Sequence, residues 1–131
     1  MKQRALMMFA AVVMAFAVAG CTSLETSKNF NGLSMTAART KPIAHINARV
    51  FGVFLFDAFP LFCGSVNDTD KVAAFTNTVS LDNTMGLATR HARGIGATKL
   101  VNVNSYYYSH WLWYTIILWE RQMQVSGTAV K

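Results

Sequence analysis

The sequence predicts an α+β domain in which one helix packs on a small, mostly antiparallel sheet of about four strands, in the order β-β-α-β-β. Two observations predict this class. Apolar and polar residues alternate with period two in residues 43–50 and 122–130, which is typical of half-buried strands. Between them, residues 80–97 carry apolar side chains at spacings of three and four, which is typical of an amphipathic helix. We place this single domain at residues 42–131.

An apolar run near the start of the chain predicts export. Lys2 and Arg4 precede 15 uninterrupted apolar residues, Ala5–Ala19, whereas a membrane-spanning helix needs about 20. A basic end, a short apolar core and small residues before a break are typical of a secretory signal peptide. We therefore interpret residues 1–20 as a signal peptide, with a poor anchor helix as the alternative.

The end of this run, Val18-Ala19-Gly20-Cys21, resembles the lipobox of bacterial lipoproteins. In that family an aliphatic residue and two small residues precede an obligatory Cys, which is acylated and becomes the N-terminus after cleavage. The resemblance implies that residues 1–20 are a lipoprotein signal peptide and that Cys21 is the lipid-attachment residue. A plain signal peptide cut at Ala-x-Ala is the alternative. Residues 21–41 would then be the lipidated Cys and a flexible, polar tether. In enteric bacteria, Asp after the Cys tends to retain a lipoprotein in the inner membrane, so Thr22 favours the outer membrane, facing the periplasm.

Charge and cysteine content limit the partners of the exported chain. Without residues 1–20 it would have 111 residues, 10 of them basic and 6 acidic, for a net charge of +4. An exported basic protein rarely meets nucleic acid, so we expect anionic lipid headgroups or acidic envelope polymers as partners, or a charge that serves solubility alone. Cys63 would be the remaining thiol of the domain. Its apolar neighbours predict a buried, inert side chain, with an intermolecular bridge or a reactive site as the alternatives.

The first strand begins after Pro42 and continues to Gly52, where we expect a bulge or bend. Beyond Gly52 the residues expected on both faces of the strand are apolar, until Asp57 and Pro60 interrupt the run. This stretch therefore cannot be a spanning helix. Residues 64–70 are predicted to form a turn or loop. The residues expected to point inward from the first strand are Ala44, Ile46, Ala48 and Val50.

The helix is expected to start at an N-cap formed by Ser80 or Asp82 and to end at Gly94 or Gly96, which accept the left-handed conformation. Its predicted apolar stripe is Leu81, Met85, Ala88, Ala92 and Ile95. The next strand should place Val101 and Val103 inward. The residues expected to point inward from the last strand are Met123, Val125, Gly127 and Ala129.

Part of this pattern resembles a known family. Ala88, Ala92, Gly96-Ala97, a valine-rich strand at residues 100–103 and a closing strand at residues 125–130 are similar to the YbjQ-type family of proposed heavy-metal-binding proteins. The resemblance covers about half of the exported chain and implies a helix that packs closely on a sheet. The closing strand and the segment Phe59-Pro60-Leu61-Phe62 also resemble small bacterial lipoproteins of unknown function.

Metal binding, the activity that this resemblance suggests, has weak support in the residues themselves. The soft ligands His45, His91, His110 and Cys63 do not pair at a spacing such as C-x₂-C or H-x₃-H. We therefore expect solvated histidines, with no metal site and no cofactor. A fold that gathers these ligands is the alternative.

Catalytic patterns are also missing from the sequence. The chain has no Gly-x-Ser-x-Gly elbow. Asp68 and Asp70 are close together, but Val79 stands at the twelfth place of the loop, where a calcium-binding EF-hand has Glu. We therefore expect that the protein is not an enzyme.

The most unusual stretch is the aromatic run Trp111–Trp119. Read as one strand, it is apolar on both faces, which suits a strand buried on both sides. One helix can cover only one face of a small sheet, so the other face needs a cover. The candidates are the aromatic arm Phe51–Phe62, a protein partner, a second copy of the chain and a membrane surface. The candidate contact residues are Trp111, Trp113 and Trp119.

Together these observations predict a lipid-anchored envelope lipoprotein that acts as a non-catalytic interaction or structural module. It would be held on the membrane by its N-terminal lipid, with an envelope protein or a second copy as a partner. The alternative is an envelope protein that binds a small ligand or a metal.

Overall fold

The computed structural model describes residues 22–28 and 40–131. Within them the chain forms one α-helix and one antiparallel sheet, which confirms the α+β class. The sheet has six strands rather than about four, in the order β4-β3-β2-β6-β5, with β1 also paired to β2. The elements are β1 (Thr22–Ser27), β2 (Pro42–Leu55), β3 (Phe59–Gly64), β4 (Val72–Ala74), α1 (Leu81–Gly94), β5 (Lys99–Trp111) and β6 (Leu118–Val130).

The two strands that the sequence did not predict are β1 and β4. β1 lies in the segment that we expected to be part of the tether, and it pairs with β2 from Thr22↔Val50 to Ser27↔His45. Residues 45–50 of β2 can pair with β1 because β3 pairs only with the far end of β2, at residues 52–55. The Thr22 hydroxyl donates to the Ser65 carbonyl at 3.0 Å, which fixes the start of β1. The predicted signal peptide, Cys21 and residues 29–39 lie outside the described residues.

The core lies between α1 and one face of the sheet. The inward residues predicted for β2 are all fully buried, which confirms the period-two interpretation. Each of them pairs with β6, as in Ala48↔Val125 and Val50↔Met123. Directly paired residues share a sheet face, so the buried stripes of the two strands form one continuous apolar surface under the helix.

The helix begins as predicted, because the Asn83 amide donates to the Ser80 hydroxyl at 3.2 Å. Its buried face differs from the predicted stripe. Leu81 is exposed, and the side chains that face the sheet are Thr84, Leu87, Ala88 and Ala92. Thr84 is tolerated there because its hydroxyl donates to the Ser80 carbonyl at 2.8 Å, which removes the cost of burying a polar group.

The inward face of β5 is a second difference. Leu100 pairs with Ala129 and packs against the core. Val101, which we expected to point inward, instead pairs with Thr128, which also pairs with His45 on the face opposite the helix. Val103, also expected to point inward, is exposed. A bulge follows Val101, since Asn104 pairs with Ser126 and two residues of β5 stand opposite Gly127 alone.

Gly52 does not end β2, contrary to the predicted bend at this residue. The strand continues to Leu55, and the irregularity in its pairing with β3 falls one residue later, between Val53 and Phe54. Gly52 instead permits a close approach to its partner Cys63. A Cβ atom at residue 52 would lie 2.4 Å from the Cys63 sulfur and 3.1 Å from the Phe62 carbonyl oxygen.

We therefore predict that Gly52→Ala destabilises the domain by about 1–3 kcal/mol, as overpacking of a tight core does. Cys63→Ala in the same chain should restore part of that loss, because it removes the sulfur that a methyl group would meet. Urea unfolding of the two single variants and the double variant measures the coupling. Strictly additive effects would contradict this account of Gly52.

Candidate functional site

One end of the sheet collects the most exposed apolar side chains among the described residues. The β2–β3 turn and the β5–β6 turn meet there, and the Phe56 amide donates to the Ile117 carbonyl at 2.8 Å. The end of β4 reaches the same side, because the Phe75 amide donates to the Leu61 carbonyl at 3.1 Å. We name the following side chains, each between 62% and 76% exposed, the apolar tip: Phe56, Phe59, Phe75, Trp113, Tyr114 and Ile116.

The β2–β3 connection is a three-residue turn, Phe56–Ala58. The Ala58 amide donates to the Leu55 carbonyl at 3.1 Å, and the central residues Phe56 and Asp57 have φ of 50° and 57°. Two positive φ angles are typical of a type I′ hairpin turn, where Asn-Gly is the usual sequence. Because Phe-Asp occupies these positions, the hairpin lacks the usual Asn-Gly signal, and Asp57 is its only turn-favouring residue.

The run Trp111–Trp119 is a hairpin connection and not the single doubly buried strand that we expected. β5 ends at Trp111, a 3-10 turn covers Trp113–Thr115, and β6 starts at Leu118. Thr115 builds the turn, since its hydroxyl donates to the Leu112 carbonyl at 2.7 Å and accepts from the Leu118 amide at 3.1 Å. The turn contains no Gly, Pro or Asn, so its composition imitates a continuous apolar strand.

The three tryptophans that we predicted as contact residues have different surroundings. Trp113 is in the apolar tip, and its ring packs edge-to-face against Tyr114. Trp111 is 44% exposed, and its indole N–H donates to the Ile116 carbonyl at 3.1 Å. Trp119 pairs with Trp111 across the hairpin, but it is half-buried and packs against the core. Trp111 and Trp113 are therefore the members of the set that reach solvent most fully.

The aromatic arm Phe51–Phe62 does not fold over the sheet, which was one expected cover. It forms the end of β2 and the start of β3, and both strands pair edge to edge within the sheet. The arm adds Phe56 and Phe59 to the exposed surface. The aromatic residues of both hairpins therefore lie at the same end of the molecule.

Arg121 holds this end together. Its Nε donates to an Asp57 carboxylate oxygen at 2.7 Å, and its Nη2 donates to the Asp57 carbonyl. Its guanidinium carbon lies 4.7 Å from the ring centre of Phe54, a cation–π contact with a fully buried ring. The hydrogen bond from Arg121 lowers the pKa of Asp57, despite partial desolvation. The β2–β3 turn is thus tied to β6 by a carboxylate that stays ionised at neutral pH.

A second aromatic group lies along β5. Tyr106, Tyr108 and His110 share one face, and their rings stack with centroid distances of 6.5 Å and 5.8 Å. Tyr106 pairs with Gln124 and Tyr108 with Gln122, so this ladder is on the face opposite the helix. It is separate from the apolar tip and borders polar side chains.

The potential metal ligands lie on different elements. His91 is on α1 and bonds the Thr26 hydroxyl at 2.9 Å, whereas His45 is on β2 and bonds the Thr128 hydroxyl at 3.3 Å. His110 stacks on Tyr108. Cys63 is buried, and desolvation raises the pKa of its thiol. Across residues 22–28 and 40–131, no three His, Cys, Asp or Glu side chains form a group that could hold a metal ion.

A groove of about 460 Å³ lies between β1, the loop after β3 and α1. Its charged side chains are engaged within the protein. Arg90 donates to the Asn67 side chain at 3.1 Å and to the Val66 carbonyl, and His91 bonds Thr26. Asp68 pairs with Lys71 at 2.8 Å. The groove therefore presents few free groups that could converge on a ligand.

Comparisons of the chain with protein families, with curated proteins and with solved structures find no match. Among the described residues, no helix has the length and apolar character needed to cross a membrane.

The Asp57–Arg121 pair predicts an acid-dependent loss of stability. Because the folded pKa of Asp57 is lowered, its stabilising contribution is present above the unfolded pKa of about 3.9 and disappears as the pH falls through the folded value. Asp57→Asn should therefore flatten the pH dependence of the urea midpoint below about pH 4. Arg121→Gln should have a similar effect. An unchanged acid slope in both variants would contradict this assignment.

Proposed function

We propose that this chain is a lipid-anchored protein of the bacterial cell envelope that acts as a non-catalytic interaction or structural module. The observation that carries the proposal is the lipobox-like segment Val18–Cys21 behind a 15-residue apolar run with a basic start. By the same resemblance, Thr22 favours the outer membrane, on its periplasmic side. A lipid on Cys21 would hold the domain 42–131 close to the membrane.

The described domain offers a contact surface that suits such a module. The six side chains of the apolar tip bury little apolar area within the folded domain, because each remains mostly exposed. Exposed apolar patches of soluble proteins often mark contacts with proteins or membranes. Trp111 and Trp113 are the predicted contact residues that lie on or beside this surface.

We predict that Cys21 is acylated and that residues 1–20 are absent from the mature protein. Intact-mass analysis of the membrane-extracted protein should give a chain that begins at a lipid-modified Cys21. Cys21→Ser removes the thiol that would carry the lipid. This variant should therefore lose stable membrane attachment, which requires several acyl chains. A mature chain that keeps Met1, or a Cys21→Ser variant that stays equally membrane-bound, would contradict the proposal.

The alternative, a metal-binding envelope protein, rests on the resemblance to the YbjQ-type family. A metal that binds the folded state stabilises it by about 2.7 kcal/mol at a hundred times its dissociation constant. Under the interaction-module proposal, zinc, copper and nickel should leave the melting temperature unchanged. A saturable rise that His45→Ala or His91→Ala abolishes would favour the metal-binding alternative.

A further inference from the structure

Three members of the apolar tip have a backbone conformation that bulky side chains rarely adopt. The φ angles are 50° for Phe56, 56° for Phe75 and 68° for Ile116. Positive φ favours Gly and Asn, and a bulky or β-branched residue there is an outlier. Because these three side chains are also exposed, local stability accounts neither for their size nor for their apolar character. A contact with something outside the folded domain accounts for both their size and their apolar character.

The direction of β1 relates the tip to the predicted lipid. Thr22 pairs with Val50 and Ser27 with His45, while β2 runs on from Val50 to the tip at Leu55. The start of β1 is therefore its tip-facing end. Leu55 lies five residue steps beyond Val50 along β2, which is about 17 Å. A lipid on Cys21 would be attached directly before Thr22, and so within reach of the tip.

The charge of the tip suits an apolar, interfacial environment. Asp57 is the single charged residue in the segments 54–63, 72–78 and 111–119, and it is paired with Arg121. Little charge would therefore be desolvated if the tip entered a lipid surface. Trp and Tyr are enriched at membrane–water interfaces, and Trp113 and Tyr114 provide both at the centre of the β5–β6 turn.

We propose that the apolar tip enters the interface of the same lipid surface that carries the Cys21 lipid. This inference rests on the proposed function for the anchor and adds a second membrane contact to it. The short distance between Thr22 and the tip gives the tip a high effective concentration at the surface. The two contacts together hold the sheet at a fixed tilt, with β1 and the tip towards the lipid. Because the contact is apolar, it resists salt and does not require anionic headgroups.

The test uses the chain's own tryptophans, all three of which lie within Trp111–Trp119. The lipidated protein is reconstituted into phosphatidylcholine vesicles whose acyl chains carry bromine, a short-range quencher of tryptophan emission. We expect strong quenching that persists at 1 M salt, where the screening length is about 3 Å. Flotation of the same vesicles reports the lipid anchor separately.

Phe56→Asn with Ile116→Asn should abolish most of the quenching while the protein still floats. Asn accepts the left-handed conformation, so the melting temperature should not fall. Tyr106→Ser is the matched control, because it removes an exposed aromatic side chain of β5 that is outside the tip. It should leave the quenching unchanged.

Other outcomes overturn this inference or separate it from the anchor. A wild-type protein that floats but is not quenched would overturn the tip contact and leave the anchor intact. A second copy of the chain could cover the tip instead. In that case the tryptophan emission would depend on protein concentration, crosslinking would give a dimer and the vesicles would not quench. That result would overturn the inference. If mass analysis shows no lipid, the proposed anchor fails. Quenching of that unlipidated chain by added vesicles would still support the tip contact.

Discussion

The long antiparallel pairing of β2 with β6 is the constraint on which the rest of the structure depends. It runs from Pro42↔Val130 to Leu55↔Leu118 and aligns the buried stripes of both strands under α1. Every other strand pairs directly with one of these two, except the short β4. Because both strands reach the same end, the turns that follow β2 and precede β6 are brought together there.

This arrangement separates the molecule into two parts with different physical character. At the helix end, small residues such as Ala88 and Ala92 let α1 lie close to the sheet, and the buried cluster is apolar. At the other end the sheet extends to the turns, where Arg121 ties the β2–β3 turn to β6 through Asp57. The first part buries the apolar core, and the second presents an exposed apolar surface on paired strands.

Several features of the candidate site carry no signal in the sequence. The turn at Phe56–Asp57 lacks Gly and Asn-Gly, and the turn at Trp113–Thr115 is aromatic. The second turn imitates a continuous apolar strand, so the sequence predicts a doubly buried strand at residues 111–119 that needs a cover. In β5 the residue that faces the core is Leu100 and not Val101, because Leu100 pairs with Ala129. In each case the pairing between two consecutive strands decided which residues form the turn or face the core, and the period-two pattern does not contain that pairing.

The sequence by itself determined the α+β class, the inward residues of β2 and β6 and a helix start capped by Ser80 or Asp82, because periodicity and capping are local properties of a chain. The lipobox-like segment before Cys21 is likewise a property of sequence alone. Only the tertiary structure decided that residues 22–27 form a strand, that Gly52 makes room for Cys63, and that the two aromatic turns share one end. Those features depend on which distant residues become neighbours, and the register of β2 sets that.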